Sequence, residues 1–364
     1  MDNWFFESID IKYYTPLYYF ICLIIVISIL LHSQTTKLFD PKSIRGRNFL
    51  GVFFLLFVVL YMGLRPIHGV FVDMGTYANA FNRVKNGYES YDFKDPIFEL
   101  FLTFCGKFLT VDLFFLICAI LYIGPLYLVS VKLFERNWFY AFFAFAISFS
   151  FWAYGVNGIR NGIAGSIFLL GITRSNNISR YTLILIAIGF HLSMLLPAIG
   201  FLSNKIITGP KKYLSLWVSC IFLSIFFGGY WEQFFTGIGI NDNRISYLTD
   251  TSHMHEFSRA GYRWDFLLYG SFAVFIGNYF IYRLNFTDKS YFMLYNIYVF
   301  SNAIWILINR ASFSNRFAYL SWFMMALVIF YPLVSRKIIT NQHKVLGGSL
   351  LIYFLFTFIM NVVL

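Results

Sequence analysis

The sequence predicts an all-α, polytopic integral membrane protein with about ten transmembrane helices (range about 10–12) plus re-entrant or interfacial helices. Of its 364 residues, 59% are hydrophobic and only 12% are charged, and the mean hydropathy is +0.67. Soluble proteins carry about 25% charged residues. Apolar runs of roughly 17–22 residues recur along the chain, each long enough to cross a hydrocarbon core of about 30 Å. Because unpaired backbone groups are not tolerated in lipid, such runs form helices.

The predicted spans follow these apolar runs in chain order. They are 14–32, 48–64, 111–131, 138–155, 159–173, 213–230, 264–282, 290–309, 314–334 and 345–364. No soluble domain or low-complexity linker interrupts them, so the pattern predicts a single transmembrane domain over 1–364. Two long outer loops are predicted at about 65–110 and 231–263. Loops of more than about 15 residues are often functional.

Two further apolar segments do not read as simple spans. The stretch 96–109 is short and contains Glu99 and Lys107, which favours an interfacial or re-entrant helix. The stretch 181–203 is long enough to cross once, but His191 and Pro197 interrupt it. We expect it to enter the membrane and return, although a single crossing is the alternative.

Loop charges favour this arrangement, with both termini outside. The segments on the cytoplasmic side are then 33–47, 132–137, 174–180, 205–212, 283–289 and 335–344. They contain 16 basic and 3 acidic residues, whereas the outer side contains 12 basic and 14 acidic residues. This asymmetry has the sign that the positive-inside rule requires. The net charge of +11 therefore reflects membrane orientation, and no nucleic-acid partner is expected.

Nothing in the sequence indicates a metal or a cofactor. The four cysteines stand singly in apolar runs, without a CxxC pair, and are typical of buried small hydrophobic residues. The first outer loop has no DxD pair. His253, His255 and Glu256 alternate in a polar loop, which is a weak pattern for metal ligation.

Arginine outnumbers lysine on the predicted outer side. The outer arginines are Arg65, Arg83, Arg160, Arg244, Arg259, Arg263, Arg310 and Arg316. The planar guanidinium suits bidentate binding of phosphate or carboxylate. As a group they are typical of a surface that binds an anionic, lipid-anchored head group. Snorkelling and pairing with outer acids is the alternative for any one of them.

The strongest local motif is Tyr154-Gly-Val-Asn-Gly-Ile-Arg-Asn-Gly-Ile-Ala164. It joins two short apolar segments and predicts a broken helix with Asn157, Arg160 and Asn161 near the membrane surface. Irregular polar backbone at that depth is tolerated only inside protein or along a wet cavity, and intramembrane ionisable residues indicate function. The glycines by themselves equally suit close helix packing.

Histidine 191 and three acidic or cationic residues of the first outer loop are further candidates. His191 lies within an apolar stretch, followed by Ser193 and Pro197, which predict a kink open to water. It can act as a general base or donate to a phosphate oxygen, or it can be a structural histidine. Asp73 and Glu99 can each serve as a base or pair with an outer arginine such as Arg65.

The ordered set of motifs resembles the EpsG family, the Wzy-like polymerases of exopolysaccharide and O-antigen synthesis. In chain order, the motifs are Arg65, Asp73 and Tyr77; Asp95-Pro-Ile-Phe-Glu99; Asn157-Gly-Ile-Arg160-Asn-Gly-Ile-Ala164; His191-Leu-Ser193 with Pro197; Arg244-Ile-Ser-Tyr247; and Asn315-Arg316-Phe-Ala-Tyr319. Two positions depart from the family pattern. Asn161 stands where Gln is common, and Asp95 stands where Glu is frequent.

The resemblance implies a metal-independent glycosyltransferase without a cofactor. It would transfer a glycan from undecaprenyl pyrophosphate to a sugar hydroxyl of another lipid-linked repeat unit, in the bacterial cytoplasmic membrane, with the site facing the periplasm or cell exterior. The partners implied are this lipid-linked oligosaccharide, the lipid bilayer and a chain-length regulator protein. The implied catalytic residues are His191, Asp73, Glu99 and Arg160. The implied substrate-binding residues are Arg65, Tyr77, Asn157, Asn161, Arg244, Tyr247, Arg316 and Tyr319.

Two other classes share some of these features. A lipid-linked oligosaccharide flippase or other transporter would need a polar cavity toward the cytoplasm and usually two related halves. No internal repeat is visible, and the ionisable residues gather on the outer side. A related O-antigen ligase or membrane acyltransferase would share an arginine and histidine site but use a different acceptor or donor.

Overall fold

The computed structural model describes residues 8–89, 93–237, 261–311 and 314–363. Within these ranges the regular elements are α-helices with short 3₁₀ and π turns, and no strand occurs among them. The chain forms two compact units, residues 1–194 with 330–364, and residues 195–329. The all-α fold class is therefore confirmed.

The first unit contains most of the helices. They are α1 (Ile11–Thr35), α2 (Pro41–Gly63), α3 (Asp73–Lys85), α4 (Pro96–Phe108), α5 (Val111–Phe134), α6 (Trp138–Ala146), α7 (Phe149–Val156), α8 (Ile159–Ile172) and α9 (Asn177–Phe190). The second unit begins with α10 (Leu195–Ser203), α11 (Pro210–Gly237), α12 (Trp264–Asn278), α13 (Lys289–Leu307) and α14 (Ser314–Trp322). Helix α15 (Met325–Ser335) leads back to the first unit, which ends with α16 (Gln342–Phe358).

Seven helical segments of the described residues are long and apolar enough to cross a membrane. They are Ile11–Thr35, Pro41–Gly63, Val111–Ala146, Pro210–Trp231, Trp264–Arg283, Arg316–Ser335 and Gln342–Val363. Three shorter apolar helices, Ile159–Ile172, Asn177–Phe190 and Leu192–Ser203, accompany them. Large apolar side chains such as Ile24 and Phe49 are exposed, as lipid-facing residues are. The polytopic membrane class is confirmed, and the count of ten spans stays a prediction.

The predicted span 138–155 is divided into the two helices α6 and α7. The break falls at Ile147 and Ser148, where Ser148 takes an extended conformation with φ −70° and ψ 149°. Before it, α5 ends at Glu135, which has a positive φ of 44°. The chain reverses there, since the rings of Tyr127 and Trp138 lie 5.1 Å apart.

The segment 65–110, predicted as a long outer loop, is largely helical. It contains α3 and α4, and α4 covers the stretch that was predicted as an interfacial or re-entrant helix. One face of α4 is buried through Phe98 and Leu102, while Leu100 and Phe104 are exposed on the other. Apolar residues on both faces are typical of a helix that contacts protein on one side and lipid on the other.

A buried polar cluster joins three loops of the first unit that were predicted to share the cytoplasmic side. Arg47 is its centre and donates to the Ser43 hydroxyl (2.8 Å), the Leu38 carbonyl (2.7 Å) and the Asn137 side-chain oxygen (3.2 Å). Its guanidinium carbon lies 4.8 Å from the ring centre of Tyr140. Arg47 is only 6% exposed, so these contacts replace its solvation.

The same cluster extends to α16. His343 contacts the Tyr140 hydroxyl through Nε2 (2.6 Å) and the Thr36 carbonyl through Nδ1 (2.8 Å). His32 contacts the Ser43 hydroxyl at 2.7 Å. The loops at 33–47, 132–137 and 335–344 therefore meet through side chains, as loops on one side of a membrane do.

Replacing Arg47 by alanine should destabilise the protein strongly. It removes three hydrogen bonds from a buried charged donor and takes that donor away from the Leu38 carbonyl and the Asn137 side-chain oxygen, which costs about 2–4 kcal/mol. The free energy of unfolding in detergent is the measurement. Arg45→Ala, which truncates an exposed arginine two residues away, is the control and should change it by less than about 0.5 kcal/mol. Equal effects of the two substitutions on the free energy of unfolding would contradict a stabilising role of Arg47 in the buried cluster.

The second unit has its own buried polar connection. Trp217 on α11 donates through Nε1 to the Asn302 side-chain oxygen on α13 at 2.8 Å. The Asn302 amide in turn donates to the Ser321 hydroxyl on α14 at 3.1 Å. Asn302 and Ser321 are fully buried, so these bonds satisfy polar groups that would otherwise be costly inside a helix bundle.

Candidate functional site

The predicted helix break in the Tyr154–Ala164 motif is confirmed. Helix α7 ends at Val156 and α8 begins at Ile159, with Asn157 and Gly158 between them. A Cβ atom on Gly162 would lie 2.6 Å from the backbone oxygen of Tyr154, so only glycine allows the two helices this approach. The break places Arg160 in the first turn of α8.

Arg160 is held by three elements that are distant in sequence. Its Nη1 forms an ion pair with Asp95 and donates to the Phe93 carbonyl at 3.2 Å. Its Nε donates to the Tyr77 hydroxyl at 3.3 Å. The guanidinium carbon also lies 4.8 Å from the ring centre of Phe93 and 5.6 Å from that of Phe98. The arginine side chain is 13% exposed, while that of Asp95 is 4% exposed.

The other half of the Arg160 guanidinium is not used in this way. Nη2 makes no hydrogen bond to the described residues. It is also not a fully buried atom, since the buried atoms without a partner do not include it. Two N–H donors therefore remain for a ligand, while Nε and Nη1 fix the plane of the group.

Asp95 connects Arg160 to the loop that contains His191. One carboxylate oxygen pairs with Arg160, and the other accepts a hydrogen bond from the Leu192 backbone N–H at 3.1 Å. Asp95 belongs to a motif that carries the family resemblance, although its role as the partner of Arg160 was not predicted from the sequence. Its position directly before Pro96, at the start of α4, was the available signal.

His191 ends α9 and turns into the site. Its extended conformation, with φ −160° and ψ 117°, stops the helix and leads into a 3₁₀ turn over Leu192–Met194. The predicted interruption at His191 is therefore confirmed. The side chain is 2% exposed, and its Nδ1 lies 2.6 Å from the Ser193 hydroxyl. That hydroxyl donates to the Asn161 side-chain oxygen at 2.9 Å.

Two contacts hold the ring of His191 in place. The Ser193 hydroxyl lies 2.6 Å from Nδ1, and the Ser193 backbone N–H donates to Nδ1 at 3.2 Å. Because the same hydroxyl donates to the Asn161 side-chain oxygen, the orientation of the imidazole is coupled to α8. Histidine is the residue that most often acts as a general base.

Arg65 lies in a different environment. It is 3% exposed and donates to the carbonyls of Met62 and Val156, the latter at 3.2 Å. Both oxygens belong to the last turn of a helix, so a cation is favourable there. Burial lowers the pKa of Arg65 to about 10, which leaves it charged at neutral pH. Since no carboxylate of the described residues pairs with it, the two helix ends provide its compensation. Arg65 therefore ties the end of α2 to the α7–α8 break.

The structure brings together only part of the predicted set. Arg160, Tyr77, Asn161 and His191 form one network, with Asp95 and Ser193 as additional members. The Ser193 hydroxyl had been considered only as part of a kink. A serine two residues after a helix-ending histidine was the signal for its bonding role.

The other predicted residues that the structure describes lie at other positions of the fold. Asp73 is the first residue of α3, and Glu99 lies one turn after Asp95, with its Oε1 buried and without a hydrogen-bond partner among the described residues. The side-chain oxygen of Asn157 is also buried and has no hydrogen-bond partner among the described residues. Arg316 and Tyr319 are in α14 of the second unit. Arg244 and Tyr247 fall outside the described residues, as do His253, His255 and Glu256.

The site contains no clear metal ligand set in the part of the chain that the structure describes. No group of three or more histidine, cysteine, aspartate or glutamate side chains is placed to hold an ion there. The four cysteines are buried and unpaired with each other, as expected for small hydrophobic residues.

These features define a class, a polytopic helical membrane protein with a buried cationic and histidine site at a helix break. The model of the EpsG family matches residues 48–364. The chain therefore belongs to the EpsG family, and this membership supports a polysaccharide-polymerase-like role in general. No curated protein and no solved structure matches the chain significantly.

Proposed function

We propose that this protein polymerises a polysaccharide from lipid-linked repeat units. It transfers a glycan from undecaprenyl pyrophosphate to a sugar hydroxyl of another lipid-linked unit, at the outer leaflet of a bacterial cytoplasmic membrane. The observation that carries the proposal is the Arg160 guanidinium, fixed on one side by Asp95 and Tyr77 and open on the other. It lies within the region that matches the EpsG family.

The reaction needs a group that stabilises an anionic leaving group. The acceptor hydroxyl attacks the anomeric carbon, the bond from that carbon to the pyrophosphate oxygen breaks, and its electron pair remains on the pyrophosphate. A preorganised cation aimed at this oxygen lowers the barrier without reorganisation during the reaction. Arg160 is suited to this role because Asp95 and Phe93 already fix its orientation.

The reaction also needs a base for the proton of the acceptor hydroxyl. His191 is the best placed, because Ser193 and, through it, Asn161 orient its ring within the site. Asp73 and Glu99 remain the alternative candidates. The Glu99 carboxylate has a buried oxygen with no donor among the described residues, which leaves this oxygen able to accept a hydrogen bond from a substrate hydroxyl.

The product of a loss-of-function strain tests this proposal. Without a polymerase, cells are expected to display single repeat units and no long chains, because the lipid-linked unit still reaches the outer leaflet. A flippase defect would leave no repeat units at the surface. Purified protein should also elongate lipid-linked repeats when neither lipid A core nor an acyl donor is added. If only addition of lipid A core gave a product, the protein would be a ligase.

A chain-length regulator protein and the lipid bilayer are the further partners that we propose. Polymer length rather than the rate of bond formation would depend on such a regulator. Comparing polymer length in cells with and without candidate regulators encoded beside this gene would identify it.

A further inference from the structure

A row of asparagines on α3 remains unexplained by the site. The helix buries one face through Met74, Tyr77, Phe81 and Val84. Its opposite side presents Asn79, Asn82 and Asn86, at spacings of three and four residues, and all three are exposed. Tyr77 on the buried face contacts Arg160, so one helix carries the candidate site on one side and the asparagines on the other.

The asparagines line a cleft of about 380 Å³. Its lining is Asn79, Asn82, Arg83, Asn86 and Tyr88. The Arg83 Nε donates to the Glu89 carbonyl at 3.2 Å, which fixes the guanidinium at the cleft, and the Tyr88 side chain is 65% exposed. Every lining side chain that the structure describes is polar or aromatic.

An ordinary solvated helix face would have a different composition. Asparagine is a weaker helix former than alanine, lysine or glutamate by about 0.5 kcal/mol per residue. Only Asn86 occupies a helix end, where asparagine is common. Asn79 and Asn82 stand in the helix body, where they reduce helix stability without a capping role. This composition favours a ligand-binding surface.

The cleft has the chemistry that recognises sugars. Each side-chain amide offers two donors and one acceptor, which match neighbouring hydroxyl groups. An exposed tyrosine ring offers an apolar face with a hydroxyl at its edge. The Arg83 guanidinium adds a donor set for the carboxylate of an acidic sugar. We propose that this cleft, lined by Asn79, Asn82, Arg83, Asn86 and Tyr88, binds an oligosaccharide segment of the growing chain away from the reacting atoms, an inference that rests on the proposed function.

Binding of free oligosaccharide tests the inference directly. The probe is a mixture of one- and two-repeat oligosaccharides released by partial acid hydrolysis from the polymer of the source bacterium. The purified full-length protein in detergent is titrated with it, and binding is followed by saturation-transfer NMR. The combined substitution Asn82→Ala and Asn86→Ala should weaken binding about tenfold, since it removes several hydrogen bonds to the ligand. The single substitution Tyr88→Ala should also weaken oligosaccharide binding.

Lys85→Ala is the matched control, because Lys85 is exposed on the same helix but does not line the cleft. The affinity of the Lys85→Ala variant for the oligosaccharide should stay within twofold of that of the unchanged protein. Unchanged binding in both the asparagine and the Tyr88 variants would overturn the inference, as would an equal loss in the Lys85 variant. The thermal unfolding temperature of each variant is compared with that of the unchanged protein, so that a loss of binding is distinguished from a loss of folding.

Two readouts keep this inference distinct from the proposed function. If the cleft binds the chain, the asparagine variant raises the KM for lipid-linked repeats and shortens the polymer while kcat for a single transfer is retained. If kcat falls and KM is unchanged, the cleft inference is wrong. Failure of the proposed function would appear differently, as polymer of normal length from cells that carry Arg160→Ala.

Discussion

Arg160→Ala is expected to abolish polymer formation while the protein remains in the membrane. Losing a fixed cation at a developing anionic charge lowers transfer rates by about 10³-fold in comparable phosphate-transfer sites. The Arg160 guanidinium is held by Asp95, Phe93 and Tyr77, so lysine cannot reproduce its planar geometry. Arg160→Lys should therefore recover only a small part of the rate. Elongation of lipid-linked repeats by purified protein is the measurement, with the amount in the membrane determined by immunoblot.

The control must separate catalysis from stability, because Arg160→Ala leaves the buried Asp95 carboxylate without its partner. A combined Arg160→Ala and Asp95→Asn variant removes both charges and should unfold closer to the unchanged protein while still failing to elongate. Arg136→Ala truncates an exposed arginine and should retain full activity. Near-normal elongation by Arg160→Ala at normal membrane levels would contradict the role given to Arg160.

His191→Ala should reduce elongation by about 10²–10⁴-fold, the range that a general base contributes. The substitution His191→Gln keeps a hydrogen-bonding group beside Ser193 but cannot accept the acceptor proton, so it should be nearly as inactive. Ser193→Ala should cause a smaller loss, because it removes only the group that orients the ring. The measurement is kcat for a single transfer at saturating lipid-linked repeat.

Substitutions of the two acidic candidates decide among the bases. Glu99→Gln and Asp73→Asn preserve the side-chain size at each position and remove the charge. If His191 is the base, both variants retain kcat within about tenfold, whereas His191→Gln does not. An inactive Glu99→Gln protein beside an active His191→Gln protein would move the role to Glu99.

The helix break and the class of protein follow from local patterns. Hydropathy predicts spanning helices because backbone groups must be paired within one segment in lipid. Asn157 and Gly158 are adjacent weak helix formers in an apolar run, and His191 with Ser193 marks a second break, so both breaks could be found in the sequence. The predicted outer loop at 65–110 is different. Its helices α3 and α4 are shorter than a span, and hydropathy alone recognises such helices poorly.

The partners of the site residues depend on packing between helices. Arg160 and Asp95 are separated by 65 residues and meet because α4 packs against α9. That approach needs Gly189, where a Cβ atom would lie 2.6 Å from the Cγ1 atom of Ile97. Arg65 and Arg160 are both outer arginines in the sequence, whereas in the structure Arg65 donates to the carbonyls at two helix ends and Arg160 pairs with Asp95. The residue type alone does not show whether an arginine pairs with a carboxylate or with the carbonyls of helix ends.

The sequence by itself determined that this protein is a helical membrane protein with a broken helix at Asn157 and Gly158, because hydropathy and helix-breaking residues act locally. Only the tertiary structure decided that Asp95 orients Arg160 and that Asn161 and Ser193 orient His191. Hydrogen bonds and ion pairs have short reach and strict geometry. They are therefore set by the way in which the helices pack, and that packing is not encoded in any one segment.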